Sequence, residues 1–361
     1  MRIAVLGGGN GAYAAAADLS EQGHEVRFWR RDAAALEALR AAKTVTLKDA
    51  AGERRVALAH VAADPGDALR GAELVLLPDP AFTQADNARR LAPHVSDGQV
   101  IFLPPGTFGA FVVARALREA GNHADFTCAE AGTLPWLARK HGAETVAITA
   151  RATRLPSGVF PARGRGAAMA ALRGAFPAVE LVEDALSAAL MNAGPVIHPP
   201  LILMNAGPLE HFERWDIHNE GTQPSIRRVT DALDAERVAA RVALGYAPPH
   251  FPLADHYRPD GDEWMYGRRV HQKLTDSRDW REPISLTGHR YMREDVELGL
   301  AFLVSVCEWA GVACPVARGL LGLGSAVLGR DLRAEGRTLE SLGLGAMTRS
   351  AMRELLSGGI A

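Results

Sequence analysis

Arg2-Ile-Ala-Val-Leu-Gly-Gly-Gly-Asn-Gly-Ala12 is the stretch whose reading decides the fold. Ile3 to Leu6 carry no polar residue, which suits a strand buried on both faces of a parallel sheet. A glycine cluster stops that strand. Tyr13-Ala-Ala-Ala-Ala-Asp-Leu-Ser-Glu-Gln22 then reads as a helix, with Gly23 as its stop. Gly7, Gly9 and Ala12 fit a G-x-G-x-x-A turn: the first makes the tight bend, the second lets backbone approach a pyrophosphate, and the small third residue lets helix pack on strand. Asn10 and Gly11 complete the turn at the helix N-terminus, whose unpaired N–H groups and partial positive charge suit phosphates. A second strand, His24 to Trp29, follows, so the arrangement is strand, turn, helix, strand: a Rossmann-type dinucleotide site.

The end of the second strand bears on which dinucleotide. An acidic residue about 20 positions beyond the glycines holds the ribose 2′-hydroxyl of NAD. Here the residues are Trp29-Arg30-Arg31-Asp32. The pair Arg30 and Arg31 favours a 2′-phosphate and hence NADP, with NAD the alternative, and either guanidinium can lie across the adenine. Asp32 precedes an Ala/Leu/Glu-rich run, Ala33 to Ala42, and reads as that helix's N-cap.

Further along, Val45 to Leu47 and Arg55 to Ala59 read as an added hairpin, and Pro65 to Leu69 as a short helix. Glu73 to Leu77 and Gln99 to Leu103 read as buried parallel strands that end in Pro78-Asp-Pro80 and Pro104-Pro-Gly-Thr-Phe-Gly109. Ligands of open parallel sheets sit outside the carboxyl ends of the strands, so the loops starting at Pro78 and Pro104 are candidate cofactor contacts, or simply turns. Phe126 to Ala129 and Glu144 to Thr149 bring the count to at least six strands; Glu130, at the end of one, reads equally as a site residue or a surface charge. From about Asp184 the texture becomes helical, in Ala185 to Met204, Pro224 to Leu244, Arg293 to Ala310 and Pro315 to Leu328. The reading is therefore α/β, with a cofactor domain over residues 1–180 and a mostly helical substrate domain over residues 181–361.

Composition narrows the function classes. With 48% hydrophobic residues in 361, the chain can bury a large core. A net charge of -2 gives no reason to expect nucleic acid or an anionic membrane as partner. The cations are nearly all arginine; Lys43, Lys48, Lys140 and Lys273 are the only lysines. Cys128, Cys307 and Cys314 are odd in number and badly spaced for a framework, and read as buried thiols. With a buried strand starting at Ile3 and no apolar run read as long enough to span a bilayer, the expectation is a soluble cytoplasmic protein. A homodimer is compatible with all of this.

In the helical half, Asn192-Ala-Gly-Pro-Val-Ile-His198-Pro-Pro-Leu-Ile-Leu-Met-Asn205 sets one imidazole in an apolar run. His198 is either a satisfied core residue or a catalytic acid, and in both cases it needs a polar partner from elsewhere in the fold. Pro199 removes a backbone donor and disfavours the α-region at His198, so a kink or break belongs here. Reduction of a carbonyl by hydride needs a proton donor near the oxygen and a cation for the substrate carboxylate. His198 and Arg290 can fill those places. Asp295 is either the carboxylate that fixes the imidazole's tautomer or a first-turn acid of the Val296 to Val306 helix. Thr222, Gln223 and Ser225 are further polar candidates on the substrate side. His211, His218, His250 and His256 lack metal-ligand spacing and read as surface or structural, so no metal site is expected, and no G-x-S-x-G elbow is present.

With these residues in view, the chain resembles the octopine/nopaline (opine) dehydrogenase family from its first strand to near its C-terminus. The resemblance rests on the turn Gly7 to Ala12, on Asn192 to Asn205 with its N-x(5)-H-P core, on Arg290-Tyr-x-x-Glu-Asp295-Val-x-x-Gly299-Leu, and on Glu335-Gly-Arg-Thr-Leu-Glu-x-Leu-Gly343-Leu. It implies a Rossmann domain joined to a helical domain like the C-terminal part of 6-phosphogluconate dehydrogenase. It also implies His198 as acid/base, Asp295 as its partner, Arg290 as a substrate-carboxylate contact, Asn192 near cofactor or substrate, and Thr222 on the substrate side. The implied reaction condenses an α-keto acid with the amine of an amino acid and reduces the imine with NAD(P)H to an N-(1-carboxyalkyl)amino acid. Some NAD-using members carry an acid after the tryptophan of the second strand, where this chain has Arg30.

Two rivals remain at this stage. Ketopantoate reductase-like and hydroxyacid dehydrogenases share the two-domain plan but use a lysine of the helical domain as proton donor, and here that domain has only Lys273. A non-catalytic dinucleotide sensor is the other.

Overall fold

Strand β1 (Arg2–Leu6) lies at the heart of the first sheet, with Ile3, Ala4 and Val5 fully buried, as an uninterrupted apolar run requires. The computed structural model describes residues 1–258, 261, 263–267 and 283–360. Lys273 and the side chain of His256 lie outside the described residues. β1 pairs in parallel with β2 (Glu25–Trp29) and with β6 (Leu74–Leu76). Beyond these lie β5 (His60–Val61) on one side, and β7 (Val100–Leu103), β8 (Thr127–Ala131), β11 (Leu155–Phe160) and β12 (Val179–Leu181) on the other. The order is β12-β11-β8-β7-β6-β1-β2-β5, parallel except where β11 meets β8.

A second sheet carries the hairpin β3 (Thr44–Asp49) and β4 (Gly52–Ala57), joined by β9 (Trp136–His141) and β10 (Thr145–Arg151) in the order β4-β3-β10-β9. The strand read at Glu144 to Thr149 is β10 and belongs to this sheet, not the main one. Its alternation explains why: Val146 and Ile148 are buried while their neighbours are half-exposed, the pattern of a one-sided sheet.

Helix α1 (Asn10–Glu21) packs against strands of both sheets, so its alanines at 14 to 17 are buried all round. Asp18, buried in that helix, accepts from Trp136 Nε1 at 2.8 Å and Arg151 Nε at 2.6 Å, which fastens the second sheet to it. The other helices around the strands are α2 (Ala33–Ala42), α3 (Pro65–Leu69), α4 (Gln84–Leu91), α5 (Gly109–Glu119), α6 (Arg165–Ala175) and α7 (Ala185–Ala189).

By contacts the chain divides into two units, one of Met1–Asp79, Thr83–Ala189 and Glu354–Ala361, the other of Pro80–Phe82 and Leu190–Arg353. α7 packs on β11 and so counts with the first unit.

The second unit holds α8 (Gly194–Met204), α9 (Ala206–His211), α10 (Pro224–Ala243) and α11 (Leu253–Tyr257). A π-helical segment, Tyr291–Leu300, runs directly into α12 (Ala301–Ala310), and α13 (Pro315–Leu328) and α14 (Leu332–Glu335) follow; of α15 (Arg349–Gly358) only the residues up to Arg353 belong to this unit. Leu201, Ile202, Val296, Leu300, Leu320 and Leu321 are buried in its core. Glu236 of α10 accepts from the Val316 and Ala317 amides, both at 2.8 Å, and so caps the α13 N-terminus with a negative charge.

Two expectations about residues 185 to 204 need correction. This stretch does reach the length and apolarity of a membrane span, but 83% of its apolar window is buried inside the protein and the helix is interrupted between α7 and α8. Of the kink or break expected at Pro199, the break is absent: α8 runs on through Pro199 and Pro200. The prolines lie within the helix's first two turns, so only the carbonyls of Pro195 and Val196 lose their helical donors, a loss that core packing overrides.

Candidate active site

The glycine turn takes the form its sequence demanded. Gly7 sits at φ 128°, a conformation closed to other residues, and its N–H donates to Trp29 O at 3.0 Å. Gly9 precedes α1 with no capping side chain, and the space a Cβ would fill there is open. Asn10 accepts from the Lys140 amide at 2.9 Å, Gly11 faces Pro78 and Leu134, and Ala12 lies against Gly7. An uncapped helix start beside open backbone is a phosphate cradle, so these residues fit a dinucleotide. Pro104 is buried just beyond β7. Asp32 caps α2, accepting from Ala35 N at 3.1 Å, as read from sequence. Arg30 is largely buried: Nη1 donates to Tyr13 Oη at 2.9 Å, Nη2 lies 3.3 Å from Asp32, and Nε is buried without a hydrogen-bond partner. Arg31 is exposed. Glu130 is fully buried and accepts from the Ala110 amide at 3.0 Å, so the surface-charge reading falls.

In the second unit, residues 97 apart in sequence meet: His198 Nδ1 lies 2.7 Å from Asp295 Oδ2. Two glycines make the approach possible. A methyl group on Gly194 would overlap the Asp295 side chain at Oδ1, and one on Gly299 would overlap the Pro195 ring, so these side chains reach the facing segment only because the two positions lack Cβ. Asn192 is buried at the same place, its Oδ1 accepting from Gly194 N at 3.0 Å and so fixing the start of α8. The His198 imidazole also stacks on Tyr291, with ring centroids 3.7 Å apart and planes at 13°. Tyr291 and Asp295, four residues apart, share one helical face. The Tyr291 hydroxyl is 2.9 Å from His218 Nε2, and His289 meets the same ring edge-on at 4.3 Å.

The charges around the pair are uneven. Burial raises the Asp295 carboxyl to about 7, against the pull of Arg290 and His289. Burial, reinforced by Asp295, raises Glu294 to about 7 as well, although Glu294 accepts from the Ala81 amide at 2.9 Å. Two neighbouring acids held near neutrality beside a histidine form a proton-handling cluster. Arg290 is exposed at the head of the π-helical segment, its guanidinium carbon 5.5 Å from the Tyr291 ring centroid. Thr222 donates to Ile217 O at 3.1 Å, a bond that closes its own loop.

Sequence reasoning passed over two of these residues. His218, read as surface or structural, is half-buried and bound to Tyr291. Tyr291 entered only as part of a motif. No local signal marked either, because their significance lies in the stack on His198 across 93 residues of chain. The backbone carbonyl of His250, read as surface or structural, accepts from Arg237, which pairs with Asp234 at 2.6 Å in the α10 interior.

Comparison with known proteins follows the same division. Residues 181–328 match the family described as NAD/NADP octopine/nopaline dehydrogenase, alpha-helical domain, and residues 3–126 match ketopantoate reductase PanE/ApbA. An opine dehydrogenase of Arthrobacter sp. (strain 1C) is 31% identical over 360 residues, covering 97% of each chain. Among solved structures, octopine dehydrogenase in complex with NADH and agmatine is similar with a TM-score of 0.71 at 20% identity, over 99% of this chain and 98% of that one. NADP+-bound yersinopine dehydrogenase gives a TM-score of 0.64 at 15% identity, again over 99% and 98%.

Proposed function

Because the chain belongs to the octopine/nopaline (opine) dehydrogenase family, we propose that His198, held by Asp295 and Tyr291, is the acid/base of a reductive condensation between an α-keto acid and the amine of an amino acid. The enzyme is an NAD(P)-dependent oxidoreductase acting on CH–NH bonds. The observation that carries the assignment of His198 is its contact with Asp295 at 2.7 Å inside a largely buried cluster.

The amine adds to the keto carbon, and His198 protonates the hydroxyl that leaves as water, so that a protonated imine remains, ready for hydride. NAD(P)H, when bound, supplies the hydride that converts the imine into a secondary amine. Asp295 on Nδ1 sets the tautomer, which gives the proton exchange to Nε2 and stabilises the imidazolium. The face of Tyr291 against the ring adds attraction for the same cation. Arg290, exposed beside this cluster, is the proposed contact for a substrate carboxylate, the recognition a planar guanidinium performs in two-point fashion. Asn192 keeps the start of α8 in place beneath the pair. Pyruvate is the simplest keto acid that meets these requirements.

The ketopantoate reductase family model matches residues 3–126 and the octopine/nopaline dehydrogenase model matches the helical half, residues 181–328, while solved ketopantoate reductases share the fold over 91% of this chain, so the amine requirement has to be measured. The test is oxidation of NADPH and NADH by the purified protein with pyruvate, with and without a panel of amino acids. Oxidation that requires the amine supports the reading. Oxidation that proceeds equally without it overturns the reading in favour of a hydroxyacid dehydrogenase.

A further inference from the structure

We propose that Lys140 joins Arg30 in a two-cation site for the 2′-phosphate of NADPH, with the Tyr13 ring as its floor; this rests on the reading of the first unit as an NAD(P)H domain. Lys140 comes from β9, a strand of the second sheet, far in sequence from the turn it serves. Its backbone N–H donates to Asn10 Oδ1 at 2.9 Å, which pins β9 beside the first residue of α1. Its ammonium lies 4.4 Å from the Tyr13 ring centroid, and the Arg30 guanidinium carbon lies 5.8 Å from the same centroid while Nη1 holds the Tyr13 hydroxyl. The guanidinium also rests on Gly8, where a Cβ would stand 3.0 Å from it. The two cations therefore converge on one aromatic ring at the edge of the phosphate cradle.

Their charge is poorly offset. Burial, and then repulsion from Arg30, hold the Lys140 ammonium below its ordinary value, and Asp32 acts the other way. Asp32 is itself engaged as the α2 N-cap and is more than half exposed on its side chain, at 56%. Arg30 Nε is buried with no partner. A phosphate monoester, carrying close to two negative charges and several acceptor oxygens, supplies what this site lacks: a fork for the guanidinium and a point charge for the ammonium. The 2′-hydroxyl of NADH supplies neither. Arg31, the other arginine of the pair, is exposed, which leaves Lys140 as the second cation of the site.

The test is direct binding of NADPH, NADH and 2′,5′-ADP to the full chain and to its Lys140→Met and Lys140→Arg variants, with thermal melting as a fold check. Methionine keeps the apolar stem, and the bond to Asn10 is made by backbone, so the turn survives the substitution. Loss of one charge-assisted contact predicts NADPH and 2′,5′-ADP bound about tenfold to hundredfold more weakly by Lys140→Met, with NADH affinity unchanged and Lys140→Arg close to the parent. Equal losses for NADPH and NADH, or a parent that binds NADH as tightly as NADPH, overturn the site while leaving the dinucleotide reading intact. A parent that binds neither overturns that reading and the site with it.

Discussion

Replacing Asp295 with Asn keeps the shape of the side chain and removes its charge, which isolates what the carboxylate does for His198. With Nδ1 and Oδ2 at 2.7 Å, the imidazolium and carboxylate touch. Charge centres about 4 Å apart in an effective dielectric of about 20 attract by about 4 kcal/mol. Desolvation opposes this, since burial already holds the Asp295 carboxyl up at about 7. The net effect of a carboxylate neighbour on an imidazolium is then about 1 to 3 pH units. In the reductive direction His198 must carry its proton, so the rate falls as pH rises through the titration of the pair. Asp295→Asn moves that fall to lower pH by about 1 to 3 units and lowers neutral turnover by about 10²-fold. In the oxidative direction the histidine must accept a proton, so the same substitution extends activity toward lower pH. The assay is initial rates in both directions across the range in which a histidine titrates. Superimposable profiles for parent and variant would show that the pair, though adjacent, does not share its proton during turnover.

Three further outcomes follow from the same geometry. His198→Asn lowers turnover by about 10²-fold or more while dinucleotide affinity is kept, as measured by steady-state rates beside cofactor titration; retained turnover counts against the acid/base assignment. Tyr291→Leu removes the stack on His198 and lowers turnover by about threefold to thirtyfold, whereas Tyr291→Phe, which keeps the ring and loses only the His218 contact, stays near the parent. Glu294, raised from 4.5 to about 7, favours the folded state most below pH 4.5 and loses that contribution as pH rises toward 7. Glu294→Gln can still accept from Ala81 and escapes the cost, so in urea unfolding at pH 8 it gains up to about 3 kcal/mol over the parent, a gain that vanishes in acid. An equal change at both pH values would contradict the buried-acid argument.

What the sequence disclosed depended on whether its signal was local. The opening strand, the glycine turn and α1 were legible because propensity, glycine spacing and burial all act within about 20 residues. β11 was not, because Pro156 and Gly158 argue against a strand interior. Gly158 is there for another reason: a Cβ would overlap the Asp184 carbonyl. β9 escaped notice for want of β-branched residues in Trp136-Leu-Ala-Arg-Lys-His141. At Pro199, where a kink or break was expected, no break occurs because helix packing outweighs two lost backbone bonds. Site residues divided in the same way. His198 and Asp295 were identified by the motifs around them. Tyr291 as a stacking partner, His218 behind it, and Lys140 beside Arg30 are contacts between distant segments, and only the fold brings them together.

The most direct test of the account is to follow the reducing hydrogen itself. Parent enzyme is incubated with NADPH deuterated at the transferring position, pyruvate and an amino acid, and the products are weighed. The expected product is a secondary amine with one deuterium on the carbon that had been the keto carbon, with no deuterated hydroxy acid. Deuterated lactate formed at the same rate with and without the amino acid would contradict it.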